Sequence, residues 1–189
     1  SFIMMSPHWT AGQVEITADG TVNIFISDSL GLDKKDSFWF ESLLKSEGFL
    51  ALFKERTVNV YYALEERQKS GEGCKVYALD DVRHFHSMEQ YMDEDGLMGY
   101  LEHTSTEKVL NLSDNVHVKF CPLPDSLLLT MQSRKVHGLL HDVPVNKKGE
   151  TASESIKQDF QVSSSSARLE NQRIHRKYQK MLTRLEHHI

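Results

Sequence analysis

Apolar and polar residues alternate through Gln13–Thr17 and again through Val22–Ile26, with Asp19-Gly20 between the two runs. That pattern predicts two antiparallel strands joined by a two-residue turn of the type I′ kind, for which Asp-Gly is a favoured pair. His8 then stands just before the first strand and Asp28 just after the second. A helix is predicted through Phe38–Ser46, with Asp36 placed to cap it and Gly48 to stop it. Thr57–Leu64 (TVNVYYAL) is rich in β-branched and aromatic residues and predicts a buried strand. A polar, glycine-containing stretch, Glu65–Gly73, follows. Ala78, Val82, Phe85, Met88 and Met92 then recur at helical spacing, which predicts a helix from near Cys74 to about Met92. Asp93-Glu94-Asp95-Gly96 ends it.

Leu97–Ser126 is mixed in pattern, with a further alternating stretch at Val116–Phe120. Leu127–Leu140 reads as helical in part, Asn146-Lys147-Lys148-Gly149-Glu150 as a turn, and Ser163–Ser166 as a polar break. The last helix places Ile174, Tyr178, Met181, Leu182, Leu185 and Ile189 on one face and Arg173, Arg176, Lys177, Lys180 and Arg184 on another. No internal repeat interrupts this order.

A chain of 189 residues can bury one sizeable core but is short for two ordinary domains. With 39% apolar and 26% charged residues, it has the composition of a globular protein. No apolar run approaches the roughly 20 residues of a membrane helix. Neither a membrane span nor a nucleic-acid partner is expected. The two cysteines, Cys74 and Cys121, are too few for a disulfide framework and favour a reducing compartment. The sequence starts without Met, and His8 comes almost at once, so a missing upstream segment is expected, together with any targeting signal.

Charge divides the chain. Ser1–Gln132 holds 11 Lys/Arg against 21 Asp/Glu, and Ser133–Ile189 holds 11 against 6. The expectation is one structural domain, with residues 1–132 as a catalytic core and 133–189 as a basic segment docking on it. The basic segment is read as meeting an anion: the acidic body, a polyphosphate, or both.

The chemistry centres on Cys74. A thiol attacks as the thiolate, so a nucleophilic cysteine needs a base or a positive field nearby. A helix amino end, which carries about half a positive charge, provides such a field. The predicted hairpin delivers His8 as base beside Asp28 as its orienting group. Gln68, six residues before Cys74, can offer a side-chain amide to an oxyanion, alongside the cysteine's own backbone N–H. Taken singly these residues say little. The order His, Asp, Gln, Cys with these spacings says much more. His84 and His86 are too few for a metal site, and Cys121 reads as a half-buried apolar filler.

The order resembles the cysteine-protease clan of the ubiquitin-like-protein proteases, in His8-Trp9, Asp28 and Gln68-Lys-Ser-Gly-Glu-Gly-Cys74. Within that clan the chain is most similar to the YopJ-type family of bacterial effector acetyltransferases. Three stretches carry this: His8-Trp9-Thr10, Gln68-Lys69-Ser70, and Val145-Asn146-Lys147-Lys148-Gly149-Glu150-Thr151 followed by a basic last helix. The resemblance implies an α/β (α+β) fold, a papain-like core with a small central sheet, a catalytic-cysteine helix and a basic C-terminal helix. It implies acetyl transfer from acetyl-CoA through a Cys74 thioester to Ser, Thr or Lys of a host protein, after secretion by a bacterium into the host cytoplasm. It also implies inositol hexakisphosphate as activator, with Lys147, Lys148, Arg173, Arg176 and Lys177 as the candidate site.

Two positions depart from the family. Lys75 stands where Gly usually follows the cysteine, and Leu129 stands where the family often has a self-acetylated Lys. Two rival readings remain: a protease or deubiquitinase with the same triad, and a non-catalytic module that binds host proteins.

Overall fold

A computed structural model describes residues 1–5, 8–31, 41–69, 73–89, 91–92, 96–106, 109–141, 143–156, 160–162, 169–171 and 173–186. Its centre is a six-stranded sheet in the order β1-β2-β3-β4-β6-β5. The strands are β1 (Phe2–Met5), β2 (Trp9–Ile16), β3 (Val22–Ser27), β4 (Val58–Ala63), β5 (Val109–Ser113) and β6 (Val116–Cys121). β3, β4 and β6 run parallel; the outer neighbours pair antiparallel.

Side chains on successive strand positions point to opposite faces, and here both faces are apolar. Phe25, Tyr61, Ala63 and Cys121 sit in one buried cluster, and Ile24, Ile26, Val58, Val60, Tyr62, Val118 and Phe120 in the other. The first face is covered by α3 (Cys74–Met88), α4 (Gly96–Thr104) and α5 (Asp125–Leu128), the second by α1 (Glu41–Leu44) and α2 (Glu47–Leu52). Such a sheet between two helical layers is a mixed α/β fold. Beyond it lie a 3₁₀ turn (Arg134–Gly138), α6 (Ala152–Ile156), a short hairpin of β7 (Phe160–Val162) and β8 (Leu169–Asn171), and α7 (Arg173–Glu186). α7 packs on α3, where Ile174 and Met181 meet Val76 and Tyr77.

Several expectations change. The turn between β2 and β3 is not a two-residue loop: the Thr17 carbonyl accepts from Gly20 N–H at 2.9 Å, and Thr17 N–H donates to the Thr21 carbonyl at 2.9 Å. Asp19 therefore lies inside a longer turn, with Gly20 in the left-handed region at φ 86°. The Asp19 carboxylate accepts from Thr17 Oγ1 and from the Thr21 backbone and hydroxyl. Gly48 does not stop a helix. Ser46 caps α2, accepting from Phe49 N–H at 3.2 Å, and α2 runs through Gly48. The cysteine helix ends at Met88, four residues early. β1, β5 and α4 had no clear sequence signal. Asp36, Phe38, Asp93–Asp95, Ser163–Ser166 and Ile189 lie outside the described residues, as does the Leu185 side chain.

Candidate active site

β2 and β3 are antiparallel, with Ala11 opposite Ser27. The start of β2 therefore lies beside the end of β3, and the residues just beyond, His8 and Asp28, meet. His8 Nε2 lies 2.7 Å from Asp28 Oδ1. An ionised carboxylate can only accept, so Nε2 carries the proton. The Asp28 side chain is 1% exposed, and a buried carboxylate requires partners. Leu30 N–H donates to Oδ1 at 2.9 Å, and the Tyr62 hydroxyl donates to Oδ2 at 2.9 Å. Burial, then the Asp28 charge and hydrogen bond, push the Tyr62 phenol far above its ordinary value. Tyr62 thus stays a neutral donor at any working pH.

The chain after Asp28 turns sharply, with Gly31 N–H donating to the Asp28 carbonyl at 3.1 Å. Gly31 has φ 64°, and a Cβ there would come 2.6 Å from the Glu65 and Glu66 backbone. Only glycine fits, both for its dihedral and for this close approach. The approach lets the Ser29 carbonyl accept from Arg67 N–H at 2.9 Å and from Gln68 N–H at 2.8 Å. Ser29 Oγ also donates to Gln68 Oε1 at 2.8 Å. That bond fixes the buried amide's orientation and makes its nitrogen the donor end.

Cys74 is the first residue of α3 and is partly exposed. Gly73, at φ 126°, has no side chain with which to cap the first-turn N–H groups. α3 packs across β2 and β1. The contact reaches the site itself, because Lys75 Nζ lies 5.6 Å over the Trp9 ring, a cation–π distance. The residue after Cys74 thus touches the residue after His8.

Cys121 is unlike Cys74. It is fully buried rather than half-buried, its thiol donates to the Tyr62 carbonyl at 3.6 Å, and burial drives its pKa strongly upward. Leu129 is 4% exposed within the core.

The basic residues divide by environment. Lys147 and Lys148 are exposed on a turn closed by Gly149, at φ 73°. Arg173 is half-buried and donates to Ser155 Oγ at 2.7 Å. Lys177 is also half-buried, with Nζ at 2.5 and 2.6 Å from the Asp80 carboxylate on α3. Burial would raise the pKa of Asp80, but the His84 hydrogen bond and charge and the Lys177 ammonium outweigh it and hold the carboxyl far down. Lys177 is lowered, by burial first and then by Arg173 and Arg83 against the pull of Asp80. Asp80 thus pairs with the Lys177 ammonium and with the His84 ring. Arg176, Lys180 and Arg184, one turn apart, form the exposed stripe of α7.

Sequence reasoning missed Tyr62, Ser29, Gly31 and the buried Arg67–Asp81 pair. TVNVYYAL gave no sign that one of its tyrosines would serve a carboxylate. A cavity of about 420 Å³ between α4, α5 and the Val143-Pro144 segment has none of His8, Asp28, Gln68 and Cys74 in its lining. Among the described residues no group of three or more His, Cys, Asp or Glu could hold a metal, and no helix is long and apolar enough to cross a membrane.

A sequence model of a family described as YopJ serine/threonine acetyltransferase matches residues 2–184. No curated protein matches. Among solved structures, AvrA delL154 with IP6 and CoA is similar in fold, with a TM-score of 0.53 and 15% identity. The match covers 93% of this chain and 65% of that one, so the chain spans about two-thirds of its structural neighbour's length.

Proposed function

We propose that this chain, which belongs to the YopJ serine/threonine acetyltransferase family, moves an acetyl group from acetyl-CoA to another protein through a thioester on Cys74. The observation that carries the reading is the His8–Asp28 pair, 2.7 Å apart, where β2 begins and β3 ends, with the Cys74 helix packed against β2. With Nε2–H given to Asp28, the imidazole lone pair is on Nδ1, where the thiol proton goes. The thiolate attacks the acetyl carbonyl, and the Gln68 amide with the first-turn N–H groups of α3 meets the oxyanion. CoA leaves with the proton from His8. A Ser or Thr hydroxyl, or a Lys amine, then gives its proton to His8 and attacks the thioester carbonyl, and Cys74 departs as the leaving group.

The proposal extends to regulation and setting. Inositol hexakisphosphate, found with CoA in the AvrA structure, is taken as the activator here. Lys147, Lys148 and Arg176 supply exposed charge for it, while Arg173 and Lys177 fasten the same region to the body. The acceptor is taken to be a host protein, reached after secretion by a bacterium into the host cytoplasm.

Release of free CoA from acetyl-CoA tests the reading, with and without inositol hexakisphosphate, in the wild type and in Cys74→Ala. The reading requires release that depends on Cys74 and rises with the polyphosphate. Cleavage of a ubiquitin-like substrate without CoA release would favour a protease instead.

A further inference from the structure

Arg67 is fully buried, and its guanidinium meets Asp81 of α3 in two parallel bonds, Nη1–Oδ1 at 2.8 Å and Nη2–Oδ2 at 2.5 Å. Nη2 also donates to Ser27 Oγ at 3.0 Å, and Ser27 Oγ donates to Asp81 Oδ2 at 2.7 Å. Nη1 reaches Thr130 Oγ1 at 3.3 Å. Burial alone would lower the guanidinium's pKa, but Asp81 outweighs it and the net direction is upward.

The main chain of Arg67 is tied as closely. Its N–H donates to the Ser29 carbonyl, and its carbonyl accepts from Gln132 N–H at 3.0 Å and from the Tyr77 hydroxyl at 3.2 Å. The same hydroxyl lies 3.1 Å from the Thr130 carbonyl. The segments that carry the site thus converge on this residue. Ser27 and Ser29 flank Asp28, Gln68 is its neighbour, and Tyr77 and Asp81 lie one and two turns into the Cys74 helix.

A buried ion pair is a poor route to stability, because desolvating two charges can offset their attraction. Here one donor is also left over: Arg67 Nε–H has no partner among the described residues. What the pair does supply is geometry, since a bidentate guanidinium–carboxylate contact fixes both partners in distance and plane. We infer that the Arg67–Asp81 pair is a positioning device that sets the Cys74 helix in register with Asp28 and Gln68. Arg67 and Asp81 do not touch the reacting atoms. They act through the residues they hold. The inference rests on Cys74 being an activated thiol, not on which acyl donor it takes.

The test replaces both charges at once, Arg67→Met with Asp81→Leu, since apolar replacement of a whole buried pair is often neutral for folding. The primary readout is the rate of Cys74 alkylation by iodoacetamide as a function of pH; buried Cys121 does not compete. The second is kcat and KM for CoA release. In a folded double variant the alkylation profile should move toward that of an ordinary thiol. kcat should fall by at least about tenfold with KM nearly unchanged, since small misplacements can cost ~10²-fold. A folded double variant with the wild-type profile and kcat would overturn the inference.

Should the double variant not fold, Ser27→Ala decides. It cuts the link from the pair to the Asp28 strand while the Arg67–Asp81 contact itself stays closed. The protein should still fold, at a lower unfolding midpoint for the two buried hydrogen bonds lost, and the same profile should shift. An unshifted profile there is equally fatal. Wild-type protein whose Cys74 alkylates like a free thiol also defeats the inference. Fast alkylation at low pH without CoA release defeats only the acetyl-transfer reading.

Discussion

Tyr62→Phe isolates one hydrogen bond of the site. The ring is 1% exposed and packs in the apolar cluster beneath the sheet, so Phe keeps the packing and removes only the hydroxyl. What is lost is a 2.9 Å donor to a buried carboxylate. A hydrogen bond to a charged group contributes roughly 1.5–3 kcal/mol. At about 2–4 °C per kcal/mol for a chain of this size, the melting point should drop by about 3–12 °C. The expected signature in urea is a lower midpoint at constant slope. The charge makes a second test possible. In an Asp28→Asn background the partner is neutral, and the cost of Tyr62→Phe should fall to about 0.5–1.5 kcal/mol. A cost below about 0.5 kcal/mol in the wild-type background, or an equal cost in both, would refute the claim that Tyr62 serves the Asp28 charge.

Asp28→Asn should lower kcat by up to about 10⁴-fold, the loss seen when a triad imidazole is set in the wrong tautomer, with CoA release as the assay. His8→Ala should be at least as damaging, and retention of most of the wild-type rate would remove His8 as base. Gly31→Ala combines a left-handed dihedral with a backbone clash and should cost more than the ~1–2 kcal/mol of a left-handed dihedral alone, with a parallel loss of turnover as the Gln68 segment is pushed away. The Asp80 carboxyl has a folded pKa below its unfolded value of about 4, so its stabilisation is complete above that pH and is lost as pH falls through the folded value. The destabilisation by Asp80→Asn, read from urea melts, should therefore be largest near neutral pH and smaller near pH ~3.

The His8–Asp28 contact was legible because its geometry follows from local pattern. Two alternating runs around Asp19-Gly20 point to an antiparallel pair, and such a pair carries the residue before its first strand, His8, toward the residue after its second, Asp28. The helix beginning at Cys74 was equally legible, from a glycine-rich stretch before it and apolar spacing within it. The error at Gly48 has a local cause: glycine is also tolerated inside a helix, and Ser46 had already started a new one. What stayed hidden depends on contacts between distant segments. Arg67 drew no notice within the polar stretch Glu65–Gly73; only the approach of Asp81, Ser27 and Thr130 sets it apart. Lys177 looked like part of one basic stripe. The docking of α7 on α3 turned it toward Asp80 and left Arg176, Lys180 and Arg184 outside. Tyr62 and Gly31 serve partners 34 residues away in both cases, Asp28 for the first and Glu65 for the second.

The central claim is a thioester on Cys74. Intact mass followed by peptide mapping, after brief incubation with acetyl-CoA and inositol hexakisphosphate, tests it most directly. The account predicts one added acetyl group on the Cys74 peptide, removed by neutral hydroxylamine and absent in Cys74→Ala. Acetylation of Cys74→Ala at the wild-type level, or a label that never passes through Cys74, would contradict it.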